Sequence, residues 1–146
     1  MTKGKKRLIT WTIVLVCIGI VIGLFQRMWP SSKDISESTV FQAEQVEEQA
    51  KYMISLLDAG EYAAMREYET QDMQATLSNT AINQAKAAVA DEFGAFVSYG
   101  SIEMSEMTQG SKTYAFVQMV VTYENTDVTY SLTFDEDMKL AGIYMK

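Results

Sequence analysis

Histidine is absent from this chain of 146 residues, and cysteine and proline occur once each, as Cys17 and Pro30. Without histidine there is no Ser-His-Asp or Cys-His arrangement and none of the common zinc ligand sets. The single cysteine lies inside an apolar run, which leaves the remainder of the chain without a disulfide. Neither GxxxxGK nor GxGxxG occurs, so no phosphate-cradling loop or dinucleotide fingerprint is expected. Internal repeats and low-complexity tracts are also missing.

Acidic residues are missing from residues 1–33, which hold six basic residues. Residues 34–146 reverse this, with nineteen acidic and six basic residues, a net charge of −13. Such a domain repels nucleic acid and anionic polymers, and no nucleic-acid partner is expected. Its length suffices for one domain with one core.

Leu8 to Phe25 carries no charge, and Arg7 and Arg27 bracket it. As a helix it measures roughly 27 Å, close to the hydrocarbon thickness of a bilayer. Lys3, Lys5, Lys6 and Arg7 precede it, and the positive-inside bias keeps that end in the cytoplasm. Trp11 and Trp29 sit where indoles favour the two interfaces, and Pro30 ends the helix. A cleaved signal peptide would show a shorter apolar run and a small-x-small site, neither of which is present. Cys17 is preceded by Val16, not by the small residue that a lipid-modified cysteine requires. The expectation is a basic cytoplasmic N-terminus over 1–7, a transmembrane anchor over 8–29, a linker over 30–38 and an extracytoplasmic domain over 39–146. The protein is then single-pass in the plasma membrane, touching lipid through Leu8–Phe25, with its C-terminal domain outside. Gly19 and Gly23 form a small-xxx-small pair through which two anchors would pack as a homodimer.

In the outer part, Asp34 to Ser38 reads as an exposed link. Ala43, Val46, Ala50, Met53, Ile54 and Leu57 recur at helical spacing within Thr39–Asp58, and Gly60 ends the segment. A short helix follows over Glu61–Glu69, then a loop over Thr70–Asn79. A third helix runs from Thr80 to Phe93, with Ser78 or Asn79 as cap and Gly94 as stop. The period then becomes two. Strands are expected at Ser98–Met107, Lys112–Tyr123, Val128–Phe134 and Lys139–Met145, with turns at Gln109-Gly110-Ser111, Glu124–Asp127 and Asp135-Glu136-Asp137. Three helices followed by a four-stranded antiparallel meander make an α+β domain, helices on one face of the sheet.

LLDAGEY at Leu56–Tyr62, FGAF at Phe93–Phe96, FVQMVVTYE at Phe116–Glu124 and SLTFDEDMKLAGIYM at Ser131–Met145 together resemble an uncharacterised bacterial extracytoplasmic domain, a domain of unknown function. That domain stands behind an anchor or lipoprotein signal, or is fused ahead of an alpha/beta-hydrolase; with Lys146 as last residue, no hydrolase is expected here. The pattern is similar more broadly to the cystatin-like, nuclear-transport-factor-like fold that SnoaL-like proteins share. The resemblance covers about residues 43–146. It implies a curved sheet wrapped around the first long helix and a cone-shaped pocket, open in some members and filled in others. Enzymes of that class place an Asp-His or similar dyad in the cone; with no histidine, no catalytic residue carries over.

No catalytic, cofactor-binding or metal-binding residue is assigned, and no cofactor is expected. Asp135-Glu136-Asp137 lacks the ligand loop of a calcium site and reads as a solvated turn. Tyr62, Tyr68, Tyr99, Tyr114, Tyr123, Tyr130 and Tyr144 could line a pocket, but at this spacing they read as packing residues with hydroxyls at the rim. Glu103, Glu106 and Glu124 are the carboxyls best placed for a general base, yet a charge on a strand usually marks its solvent face. Met53, Met65, Met104 and Met119 read as core filler. The leading expectation is a non-enzymatic module binding a partner protein, a wall component or a small ligand. The alternative is a small hydrolase or isomerase-like enzyme using carboxylate and tyrosine groups in the cone.

Overall fold

The computed structural model describes residues 32–146. The expected anchor, Leu8–Phe25, lies outside the described residues, together with Trp11, Cys17, Gly19, Gly23 and Trp29. Among the described residues no helix is long and apolar enough to cross a membrane.

The first element corrects the sequence reading. Asp34–Ser38 is exposed for the most part, as expected, but it is structured: Ser32–Asp34 forms strand β1 and Ile35–Glu37 a single 3-10 turn. Ile35 is buried, and it brings this segment into the core. Ser38 accepts the N–H groups of Val40 and Phe41 on Oγ. That local turn delays helix α1, which spans Ala43–Ala59 instead of starting at Thr39. Its stripe of Val46, Ala50, Met53, Ile54 and Leu57 is buried as the periodicity demands. Gly60 stops it with a left-handed φ of 71°.

Helix α2, Tyr62–Arg66, is shorter than expected. The loop expected over Thr70–Asn79 holds helix α3, Gln71–Thr76, capped by the Thr70 hydroxyl on the Met73 N–H. Helix α4, Asn79–Val89, is capped by Ser78 and ends at an extended Ala90. It does not run on to Phe93, because the turn at Glu124–Asp127 claims that segment: the Asn125 N–H donates to the Phe93 carbonyl, and the Glu124 N–H to the Ala95 carbonyl.

Strands β2 (Phe96–Gln109), β3 (Lys112–Tyr123), β4 (Asp127–Phe134) and β5 (Leu140–Met145) follow. The sheet has five strands, not four, all antiparallel in the order β1-β2-β3-β4-β5. The domain is therefore α+β, with four α-helices among the described residues. The register builds ladders across the core face. Ile102, Met119, Tyr130 and Met145 lie in one row, and Met104, Val117, Leu132 and Ile143 in the next. Met119, Tyr130, Val117 and Leu132 of these rows share one core with the stripe of α1 and Met65, and Ile102, Met104, Ile143 and Met145 pack against it. The period-two reading breaks at the end of β4. A register shift falls between Thr133 and Phe134, and Thr133 is buried along with Leu132 and Phe134.

Candidate functional site

The last turn of α1 carries an acid into the space between helices and sheet. Asp58 accepts a hydrogen bond on Oδ1 from the Tyr123 hydroxyl at 2.7 Å. The Tyr123 and Tyr130 oxygens are also 2.7 Å apart. Tyr123 has one hydroxyl proton, so with Asp58 ionised the chain runs from Tyr130 to Tyr123 to Asp58. Both tyrosines are buried; the Tyr130 hydroxyl lies in the interior, not at the rim as expected, whereas the Tyr123 hydroxyl meets the exposed Asp58. Burial raises the Tyr130 phenol above its ordinary value. Burial, then the Tyr130 hydrogen bond, raise Tyr123 further still. Neither phenol ionises near neutrality.

Asp58 is an exposed residue overall, with water on one side of its carboxyl and protein on the other. Desolvation on the protein side raises its pKa above 3.8, against the Tyr123 hydrogen bond and the positive charge of Lys86. Lys86, on α4, donates to the Leu57 carbonyl and, at 3.0 Å, to the Tyr62 hydroxyl. A cation at the C-terminal end of α1 is electrostatically favoured there. The Tyr62 hydroxyl donates in turn to Asn83 Oδ1 at 2.9 Å.

A cleft of about 390 Å³ opens beside these groups, lined by Asp58, Lys86, Asp91, Phe93, Phe96 and Tyr123 among others. The Tyr123 ring lies 5.2 Å from that of Phe93 and 6.3 Å from that of Phe96, centroid to centroid. The segment forming its lip depends on Gly94, whose φ is +76° and whose missing Cβ would stand 2.7 Å from the Glu124 side chain. The Ala95 N–H donates to Glu124 Oε1 at 2.9 Å.

The carboxyls singled out from sequence lie elsewhere. Glu124 clasps the lip, and Glu103 is exposed. Glu106 does not mark a solvent face: it stands opposite Ala115 on the core side, only 4% exposed. There it pairs with Lys33 at 3.1 Å and accepts the Ser38 hydroxyl at 2.6 Å. In the turn after β4, Asp135 accepts the N–H groups of Asp137 and Lys139, and Glu136 that of Thr113. Among the described residues no cluster of three or more acidic or cysteine side chains is placed to hold a metal. Of the remaining tyrosines, Tyr62 braces Lys86, Tyr68 packs edge-on against Tyr52, and Tyr99 lies exposed beneath the Lys51 ammonium. Tyr114 and Tyr144 are half-buried.

Three groups escaped the sequence reading: Asp58, Lys86 and Glu69. Asp58 stands next to Leu57 at the end of an apolar stripe, immediately before the helix stop, and that placement was its only signal. Glu69 is buried with Oε1 lacking a hydrogen-bond partner, and burial raises its pKa although the nearby Arg66 charge acts in the other direction.

No curated protein matches the chain. Among solved structures it is similar to the NMR structure of a protein from Ruminococcus gnavus ATCC 29149, with a TM-score of 0.67 and 29% sequence identity over 74% of this chain and 94% of that one. Residues 50–143 match the family described as "Protein of unknown function (DUF3887)", and because that match spans more than half of its length the chain belongs to this family.

Proposed function

We propose that this chain is a binding module held at the outer face of a bacterial plasma membrane. Leu8–Phe25 is its anchor, the basic residues before it stay in the cytoplasm, and the domain that begins at β1 stands outside. In this reading the domain is of the cystatin-like, SnoaL-like type, with the cleft as the open end of its cone. The cleft carries the proposal. A carboxylate pinned by one buried phenol that a second phenol backs, beside an ammonium and a cluster of aromatic rings, is a small set of oriented polar groups on an apolar wall, as ligand sites are built. The ligand is a small molecule, a wall component or an exposed side chain of a partner protein.

The test is photo-crosslinking in native membranes, with a benzophenone amino acid at Phe96 and, as control, at the exposed Glu103. Capture at Phe96 and not at Glu103 is expected; no adduct at Phe96 sinks the reading. The topology is checked separately. Single cysteines at Ser31 and Gln109, in a Cys17→Ala background, should label with an impermeant thiol reagent on intact cells. Protection of both reverses the orientation.

One observation favours a second, enzymatic reading, as a hydrolase or isomerase-like activity. Asp58 combines a raised pKa with an ordered phenol, the pairing that a general base and an adjacent hydrogen-bond donor require. A turnover abolished by both Asp58→Asn and Tyr123→Phe would establish it.

A further inference from the structure

Resting on the cleft reading, we infer that the ligand group recognised there is a protonated amine carried on an apolar or aromatic body, seated between Asp58 and the rings of Phe93, Phe96 and Tyr123.

The charge count of the cleft comes first. It is lined by two carboxylates, Asp58 and Asp91, and one ammonium, Lys86. Lys86 is turned away from a ligand's service: it donates to the Leu57 carbonyl and the Tyr62 hydroxyl, and its Nζ lies 5.1 Å from the Tyr62 ring centroid. An anionic ligand would have to take Lys86 from the helix end that holds it and would meet Asp58. A cation meets the opposite situation. Asp58 is fixed through Oδ1 by Tyr123, so its carboxyl is oriented before the ligand arrives. Desolvation raises its pKa in spite of the Tyr123 hydrogen bond and the Lys86 charge, the condition that an ammonium paired directly with it relieves.

The apolar wall points to the same class. The rings of Phe93, Tyr123 and Phe96 form a continuous aromatic surface beside the carboxyl, and Phe96 is 45% exposed. Aromatic faces attract ammonium groups and pack against hydrocarbon. The domain around the cleft, net −13 over residues 34–146, draws cations towards it and repels anions.

The test uses the full chain in nanodiscs of zwitterionic lipid and three probes of one shape: 2-phenylethylamine, 2-phenylethanol and phenylacetate. Amide shifts are followed by NMR at physiological salt. The amine should give saturable shifts at Gly94, Ala95 and Tyr123, with affinity at least about tenfold above that of the alcohol, the worth of one charge-assisted contact. The acid should give none. Asp58→Asn should bring the amine down to the level of the alcohol, whereas Glu103→Gln should leave it unchanged. Equal binding of amine and alcohol, or preference for the acid, keeps the cleft as a site and overturns the cation assignment. Failure of all three probes to move cleft resonances overturns the assignment and counts against the cleft as well. Amine shifts scattered over surface carboxylates and insensitive to Asp58→Asn overturn the assignment as non-specific charge attraction.

Discussion

Replacing Glu69 by methionine should make the protein more stable at neutral pH. The residue is only 4% exposed, and its Oε1 atom has no hydrogen-bond partner. Its backbone is fixed from both sides: Thr70 donates to the Leu140 carbonyl and Leu140 to that of Tyr68, so the side chain cannot swing out without breaking this bridge. Leaving a buried polar group unsatisfied costs about 1–3 kcal/mol, and an apolar side chain of similar length removes that cost. For a domain of this size the gain corresponds to about 4 °C in Tm for each kcal/mol. The pH dependence identifies the cause. The folded-state pKa of Glu69 is raised from 4.5, so the wild-type carboxyl is tolerated when protonated and becomes a liability as pH rises through that raised value. The advantage of Glu69→Met should therefore be largest near neutrality and fade below the ordinary carboxyl range. Glu69→Gln should gain less, since its amide still needs a partner. The assay is thermal unfolding by near-UV circular dichroism at neutral and at acidic pH. The 32–146 fragment is the sample, since it holds every described element. A loss of stability that is larger at neutral than at acidic pH would show that Glu69 has partners strong enough to hold its charge, and the reasoning would fail.

Tyr123→Phe removes the donor that lowers the Asp58 pKa and strands the Tyr130 hydroxyl, so Asp58 should titrate higher than in wild type and stability should fall by about 1–2 kcal/mol; carboxyl-detected NMR titration and urea unfolding read the two effects. Leu132→Ala should cost about 2–5 kcal/mol. Thr133→Ala should cost about 1 kcal/mol, more than a solvent-facing strand position would lose, because Thr133 is itself 5% exposed; no measurable loss at Thr133 in denaturant unfolding would refute its burial. Gly94→Ala should cost at least about 1 kcal/mol, from the positive φ and the 2.7 Å approach to Glu124, and should shift the amide resonances of Ala95 and Phe96; an unperturbed spectrum would mean that the lip is not held as described.

The elements legible in the sequence were those with a sustained period. The stripe of α1, the unbroken alternation of β3 and the turn at Gln109–Ser111 gave their positions away, because burial on one face writes a period of about 3.6 or 2 into the chain. Elements governed by a single contact were not legible. β1 has three residues, too few to show alternation, and its existence depends on pairing with Ser105, Glu106 and Met107 far along the chain. The end of α4 was misplaced because Gly94 looked like a helix stop, whereas the hydrogen bonds from Glu124 and Asn125 decide the matter. The cleft was hidden for the same reason. Asp58, Lys86 and Tyr123 lie on three elements, and no spacing in one dimension announces their meeting. Tyr123 and Tyr130 were visible as core residues, but the partner of their hydroxyls was not.

The attachment of β1 has a mechanical consequence. Tension arriving along the preceding chain falls first on three paired residues, the Lys33–Glu106 ion pair, the Ser38–Glu106 hydrogen bond and one buried isoleucine. Helix α1 begins only at Ala43, so residues 32–38 can peel from the sheet while β2 to β5 stay zipped to one another. Their release would free seven residues, whose contour is roughly 23–25 Å at the reach of an extended chain. It would also bare the edge of β2 and leave Glu106 without Lys33. The entry to the domain is thus a joint held apart from the pairing of β2 to β5, and in the anchored arrangement proposed above its release would lengthen the tether.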